Sequence, residues 1–262
     1  MKILAFIFLV AGVILFFIKR KQSQLMLNLR TAHASNIKEL EHTAQAIATQ
    51  IGGGSWRDYV KIWGKITVSK PLYSELKKEP CVYYTMSVKR EYEERIREKN
   101  QEGNWVERTV RKSETVASNQ LSIPFILEDK TGTIEVNPEN AQIDTIKIVD
   151  EFRQGEVVGN MISYGNFSQL LNNSIKTSQT HTLGYHYRES ILPVGRDVLV
   201  LGTVNDETGN LRISKPVSNE QKFLISLKSS AVLIEEINQS EKNIHRWMIG
   251  CFVAAFFCWI FG

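Results

Sequence analysis

Three side chains with metal-ligand chemistry, His181, His186 and Glu189, fall within one short stretch of the chain. Two imidazoles and a carboxylate could hold a divalent cation, but such spacing on a single strand or loop is common by chance, and no metal site is expected from it. Cys81 could serve as a thiol nucleophile only if the fold carried His181 or His186 to it. Placed after Pro80 at the start of a strand-like run, it reads better as a buried small hydrophobe. Gly52, Gly53 and Gly54 before Ser55 have the look of a phosphate cradle, yet no Gly-Lys-Ser/Thr follows and no strand precedes them, so the cluster reads as a helix stop and hinge. The sequence has no nucleophile elbow, zinc helix, Walker loop or dinucleotide fingerprint. No catalytic residue, no metal and no cofactor are therefore expected. Tyr83, Tyr84, Tyr92, Trp105, Tyr185 and Tyr187 could stack bases. The 32 Lys and Arg against 28 Asp and Glu leave a net charge of only +4, too even a mixture for a dedicated polyanion binder. The aromatic residues then read as core and cross-strand packing, and no nucleic-acid partner is expected.

The elements that must position these residues follow from where the hydrophobicity lies. Residues Ile3 to Ile18 carry no charge, and at about 1.5 Å rise per residue they form a helix just short of the hydrocarbon thickness of a bilayer. The run ends in Lys19, Arg20 and Lys21 without a small-residue cleavage site, which favours an anchor over a cleaved signal. A second apolar run, Trp247 to Phe261, begins with one tryptophan and ends beside another, Trp259, the residue type that sits at headgroup level. Lys19 to Lys21 and Arg30 follow the first span, and Lys242 and Arg246 precede the second. The positive-inside rule therefore puts the central segment in the cytoplasm and both termini across the bilayer, with Lys2 alone opposing. Gly250 and Ala254, a small-x-x-x-small pair, with Gly12 in the first span, predict that the two spans pack on each other.

Between the spans, Asn36 and Glu39 have capping-box spacing and Ile37, Leu40, Ala44, Ile47, Ala48 and Ile51 recur at helical period, which predicts a helix from about Asn36 to Gln50. From Tyr59 the period becomes that of strands, with turn formers at Asp129 to Gly132 and Asn205 to Gly209. Gly64 and Gly202 within such runs suggest a sheet that curves toward closure. The expected fold is α+β: a β-rich, OB-like, partly open barrel domain between two transmembrane helices. The expected divisions are a first span over 1–20, a juxtamembrane helix and glycine linker over 21–54, a β-rich domain over 55–228, and a helix running into the second span over 229–262. Lys89 to Lys112 reads as a long two-stranded ribbon with solvated cross-strand charge pairs. Gly155 to Thr182, rich in Gly, Asn, Ser and Thr, reads as a long loop. Its apolar residues either cover a sheet edge as core or form an exposed patch for a protein partner or the bilayer surface. In the second reading Met161, Tyr164, Phe167, Leu170 and Leu171 are the candidate partner-binding residues.

Three clusters carry a resemblance to a known family. They are Lys70-Pro71-Leu72-Tyr73-Ser74 ahead of Pro80-Cys81-Val82-Tyr83-Tyr84; Ile123 to Asp129 with Gly132 and Val136-Asn137-Pro138; and Glu189 to Gly195 before Val200-Leu201-Gly202. In this order, over about Ile51 to Leu227, they resemble the GIDE family, also called MULAN. Its members are membrane-bound RING-type E3 ubiquitin ligases of mitochondria and chloroplast envelopes, with many bacterial relatives. The resemblance implies a domain beside a membrane that binds protein partners, while a C-terminal RING recruits the ubiquitin-conjugating enzyme. A RING needs eight Cys or His ligands in Cys-x-x-Cys-type pairs, and Cys81, Cys251 and Cys258 form no such pair, so no catalytic residue of the family carries over. The match is closer to the bacterial relatives, which commonly lack the RING. The expected function is a RING-less membrane scaffold or sensor that binds a protein partner or a lipid surface. The alternatives are a component of an E3 ubiquitin ligase using a RING from another chain, and an OB-like nucleic-acid or glycan binder. The expected partners are the lipid bilayer and a protein, with assembly into a homo-oligomer left open.

Overall fold

The computed structural model describes residues 2–52, 56–100, 102–154, 157–158, 161–170, 180–206 and 210–260. In chain order, helix α1 (Lys2–Thr31) leads through the short strand β1 (His33–Ala34) to α2 (Ile37–Ile51). The strands β2 (Arg57–Thr67), β3 (Leu72–Tyr73), β4 (Pro80–Lys99), β5 (Trp105–Ser122), β6 (Phe125–Glu128), β7 (Thr133–Val136) and β8 (Gln142–Ile143) follow. Next come β9 (Ile146–Arg153), β10 (Val157–Val158), β11 (Met161–Tyr164), β12 (Phe167–Leu170) and β13 (Thr180–Pro193). The chain ends with β14 (Asp197–Asn205), β15 (Arg212–Ser214), β16 (Leu224–Ser226) and helix α3 (Ser230–Ile260). The fold class is α+β, as expected. The stretch 55–228 divides between two compact units. One holds residues 1–66, 126–143 and 197–262; the other holds 67–125 and 144–196.

The first unit is built on a closed barrel. Strands β2, β6, β7, β15 and β14 pair in that order, and β14 returns to β2. Counted along the barrel the order is one, two, three, five, four, with the third and fifth strands parallel and β14 antiparallel to both β2 and β15. This is the Greek-key ring of an OB-type barrel. Closure needs close approach at Gly64, where an added Cβ would lie 2.7 Å from the Glu128 carbonyl oxygen, and at Gly202, where it would meet Ile213 and Phe223. Any larger side chain at Gly64 would push backbone apart, so the glycine follows from the curvature.

Strand β14 explains why Val198 to Leu201 is a continuous apolar run and not an alternating one. Val198 and Val200 are buried together with Ile62 and Ile134, whereas Leu199 and Leu201 pack with Met26, Leu29 and Ala32 of α1 and its end, and with Ile237 of α3. A strand covered on both faces has no polar face to show. α1 does not stop at its basic flank: it continues unbroken to Thr31. Helix α2 begins where Asn36 accepts from the Glu39 backbone N–H, while Asp129 Oδ2 and Thr131 Oγ1 accept from the N–H groups of Ile37 and Lys38. Side chains thus satisfy three of the four orphan donors of its first turn.

The second unit is a sheet of β3, β4, β13 and β9, with β5 hydrogen-bonded to β4. β4 and β5 form the expected ribbon, paired from Tyr83 opposite Ser122 to Lys99 opposite Trp105 with one shift of register between Val88 and Lys89. A smaller sheet of β10, β11 and β12 covers one side. Between them lie Tyr84, Met86, Val88, Val149, Ile162, Tyr164, Tyr185 and Tyr187, all buried. The region expected to be a loop therefore contains a hairpin. Tyr164 and Phe167 face each other across the turn at Gly165 and Asn166, and Gly165 takes the left-handed backbone (φ 55°) that this turn requires.

Candidate functional site

The hairpin β11–β12 sorts the apolar residues expected to bind a partner into two sets. Period-two alternation turns Ile162 and Tyr164 inward, and Phe167 packs against the same core. Tyr164 donates to Glu151 Oε2 at 2.9 Å, lies 5.0 Å from the Tyr187 ring and carries the Arg153 guanidinium 4.1 Å from its centre. Met161 and Leu170 are a directly opposed pair on the other face, 41% and 69% exposed. Leu171 lies outside the described residues. Of the expected patch, then, Tyr164 is buried, Phe167 is half-buried against the core, and Met161 and Leu170 form an exposed apolar pair.

His181, His186 and Glu189 do not converge. Glu189 points into the second unit and is buried. It accepts hydrogen bonds from Ser74 Oγ at 3.0 Å and from the backbone N–H groups of Leu76 at 2.7 Å and Lys77 at 3.0 Å, which pins the segment between β3 and β4. His186 lies on the opposite face of β13, with Nε2 at 2.6 Å from Asp150 Oδ1. Asp150 also receives Lys147 Nζ at 2.5 Å and Arg188 Nε at 3.1 Å, and these cations with His186 hold its carboxyl well below the usual range. Cys81 is buried, and burial together with the nearby Glu189 charge pushes its thiol up to about 11, the reverse of what a nucleophile needs. Among the described residues no group of three His, Cys, Asp or Glu could hold a metal ion.

The outward face of β6 and β7, the surface on which OB barrels hold nucleic acids and glycans, carries Glu128, Thr133 and Glu135. The cleft beside it, of about 630 Å³, sets Lys65 and Lys130 against Glu128, Asp129 and Asp197 around Trp63. Such a surface offers a phosphate backbone no net attraction. Tyr84, Tyr185 and Tyr187 are buried, so they present no stacking platform.

The helices carry the strongest polar construction of the first unit. Asn28, buried on α1, donates to the carbonyls of Gln24 and Glu220 at 2.7 and 3.1 Å, and its Oδ1 accepts from Tyr59 at 2.8 Å and from the Lys222 N–H at 2.9 Å. Lys61 Nζ adds a bond to the Leu29 carbonyl at 2.6 Å. Toward the apolar ends α1 and α3 run antiparallel, tied by Gln22 to Ser240 at 3.0 Å and Ser23 to Glu241 at 2.6 Å. Both helices are long and apolar enough to cross a membrane. The two helices pack at Gly12, where an added Cβ would lie 2.9 Å from the Phe252 ring, but Gly250 has nothing near it. Its small size is therefore not used in this contact. Sequence reasoning passed over Asn28 and weighed Glu189 only as a metal ligand, not as an anchor for the segment after β3. Their only signal was a polar residue at an otherwise apolar helix or strand position.

Residues 93–261, more than half of the chain, match the family model GIDE, described as E3 ubiquitin ligase. The chain belongs to the GIDE family. No curated protein and no solved structure matches it. The GIDE match begins within β4 and runs through α3, so it takes in the second helix that could cross a membrane and omits α1, β1, α2, β2 and β3. Of the clusters that suggested the family, Ile123 to Asp129, Val136 to Pro138 and Glu189 to Gly202 lie inside the match, and Lys70 to Tyr84 lies outside it.

Proposed function

We propose that this GIDE protein is a membrane-anchored scaffold in protein ubiquitination, which holds an OB-type barrel at the bilayer and offers the exposed Met161–Leu170 pair to a protein partner. The observation that carries it is the construction of α1 and α3. Each runs from an apolar segment directly into one core formed by Met26, Leu29, Ala32, Leu199, Leu201, Leu224 and Ile237, so barrel and anchors move as one body. A flexible tether would suit a diffusing enzyme; a rigid mount suits a docking platform. The link to ubiquitination is supported by the family description. The central segment faces the cytoplasm in this reading, supported by Lys19, Arg20, Lys21, Lys242 and Arg246 beside the spans.

A second reading, in which the chain joins a ligase whose RING belongs to another polypeptide, is favoured by the cysteine spacing, since Cys81, Cys251 and Cys258 supply no paired zinc ligands. The test of the scaffold reading is a photocrosslinking residue at Leu170 in the full chain in its native membrane, with Ile162, turned inward, as the control. A discrete protein adduct from position 170 and none from 162 is expected. No adduct at 170 would overturn it. Ubiquitin transfer by the purified chain with activating and conjugating enzymes alone would overturn both readings.

A further inference from the structure

The outer part of the β4–β5 ribbon, from Arg95 to its tip, treats its charges differently on its two faces. The last described partner of β4 on β13 is Thr180, opposite Glu94. From there the ribbon continues through five more pairs, Arg95 opposite Thr109 to Lys99 opposite Trp105, or about 17 Å at ~3.3 Å per residue. On one face Arg108 meets Glu98 at 3.5 Å and, just below, Lys112 meets Glu94 at 2.5 Å. Alternation sets Arg95, Arg97 and Lys99 in a row on the other face, and among the described residues none of them meets a carboxylate. Arg97 stands directly opposite Glu107 yet is drawn to the Trp105 indole, 5.7 Å from the ring centre, with Lys99 at 5.2 Å. Trp105 shares this face and is 59% exposed.

We infer that the ribbon tip is a second interaction surface, separate from the β11–β12 hairpin, that docks on anionic phospholipid headgroups. An indole flanked by basic side chains is the combination that settles at headgroup level, where the ring is half buried and the cations meet phosphates and carboxylates. Arg108 and Lys112 on the opposite face, and Arg111 with Glu91 at 2.9 Å lower on this one, are paired within the fold, whereas this row, with Glu107 opposite it, keeps an excess of positive charge for a partner. The partner of complementary charge that the chain always has beside it is the bilayer, to which α1 and α3 hold it at high local concentration. Each basic residue near such a surface strengthens binding about fivefold.

The full chain, labelled with fluorotryptophan, is placed in nanodiscs of phosphatidylcholine with or without phosphatidylserine, each containing a lipid with a gadolinium headgroup. The Trp105 fluorine line is assigned with Trp105→Phe. The line should broaden when phosphatidylserine is present in the disc or in vesicles added to neutral discs, and stay sharp without it. Replacing Arg95, Arg97 and Lys99 together by Ser should weaken vesicle binding about 100-fold. Arg108→Ser with Lys112→Ser removes charge from the paired face and should weaken it less than about threefold. Trp105→Ser, a surface change, should also lose binding, and unchanged circular dichroism shows that each variant is folded. The inference is overturned by a Trp105 line that stays sharp in every anionic arrangement, by equal losses in the two charge variants, or by a single-stranded oligonucleotide or polyglutamate that shifts the line where vesicles do not.

Discussion

Asn28 uses all of its hydrogen-bonding capacity, two donors and two acceptor positions, on four partners from α1, β2 and the segment before β16. Asn28→Leu fills the same space but leaves the Lys222 N–H and the Glu220 carbonyl facing a methyl group, while the Tyr59 hydroxyl keeps the Lys222 carbonyl at 2.8 Å, and burying such groups unpaired costs about 1 to 3 kcal/mol each. We expect a loss of about 3 kcal/mol in denaturant unfolding of the full chain, against about 1 kcal/mol for Tyr59→Phe, which leaves Asn28 its other partners. Asp150 makes a prediction in pH. Lys147, Arg188 and His186 hold its carboxyl below the unfolded value, so the stability it contributes is fully present above the ordinary carboxylate range. That contribution is lost as pH falls from about 5 toward and below the unfolded value of ~3.9. Asp150→Asn should flatten the acid limb of a stability profile in that window and leave the neutral region's slope unchanged.

At the scale of elements, the β11–β12 hairpin separates binding from folding. Leu170→Ser and Met161→Ser change exposed positions and should leave the thermal midpoint within about 1 °C. Ile162→Ser, in the core, should lower it by 5 °C or more, since removing a buried aliphatic group and burying a hydroxyl costs about 2 to 4 kcal/mol. The reverse ranking in a melting experiment would place the hairpin the other way round. This element also marks where sequence reasoning fell short. Gly155, Asn160, Gly165 and Asn166 suggested irregular backbone, yet Tyr164-Gly165-Asn166-Phe167 is a two-residue turn signal between apolar residues. The strands of the barrel were legible because their periodicity is local. Their closure was legible only through Gly64 and Gly202. Glu189 was not legible, because its reason is three donors contributed by the segment after β3, far away in sequence. The same holds for the cation row on the ribbon: the alternating charges were plain in the sequence, and only register showed which of them find partners.

At the scale of the whole molecule, the two spans form one antiparallel pair, and two predictions belong to it. Gly12→Leu drives a side chain into the Phe252 ring and should separate the helices. A disulfide between cysteines at Ala5 and Ala255, both buried and lining one cleft between the helices, should then form at least tenfold more slowly than in the parent chain, while Gly250→Leu should leave it unchanged. The second prediction is orientation. Reporter fusions at Gly262 and at Asn104 should give opposite signals, with the Asn104 fusion active in the cytoplasm; the opposite result would reverse the topology and leave the fold untouched.

The way the second unit interrupts the barrel has a consequence in time. Asp58 of β2 must wait for Val204 of β14, and β7 for β15, because the chain leaves the barrel for residues 67–125 and again for 144–196 before returning. During synthesis the first hydrophobic segment emerges long before any ring can close. Barrel closure is a high contact-order step, slow by the entropy of the loops it must shut, and in the membrane-anchored reading it takes place on a chain already held at one end in the bilayer. Until β14 arrives, the edge of β2 and the apolar face of α1 that Leu199 and Leu201 will cover stand open. Nascent chains stalled before residue 197 should therefore be the form that chaperones and proteases recognise, and release beyond α3 the event that ends their access.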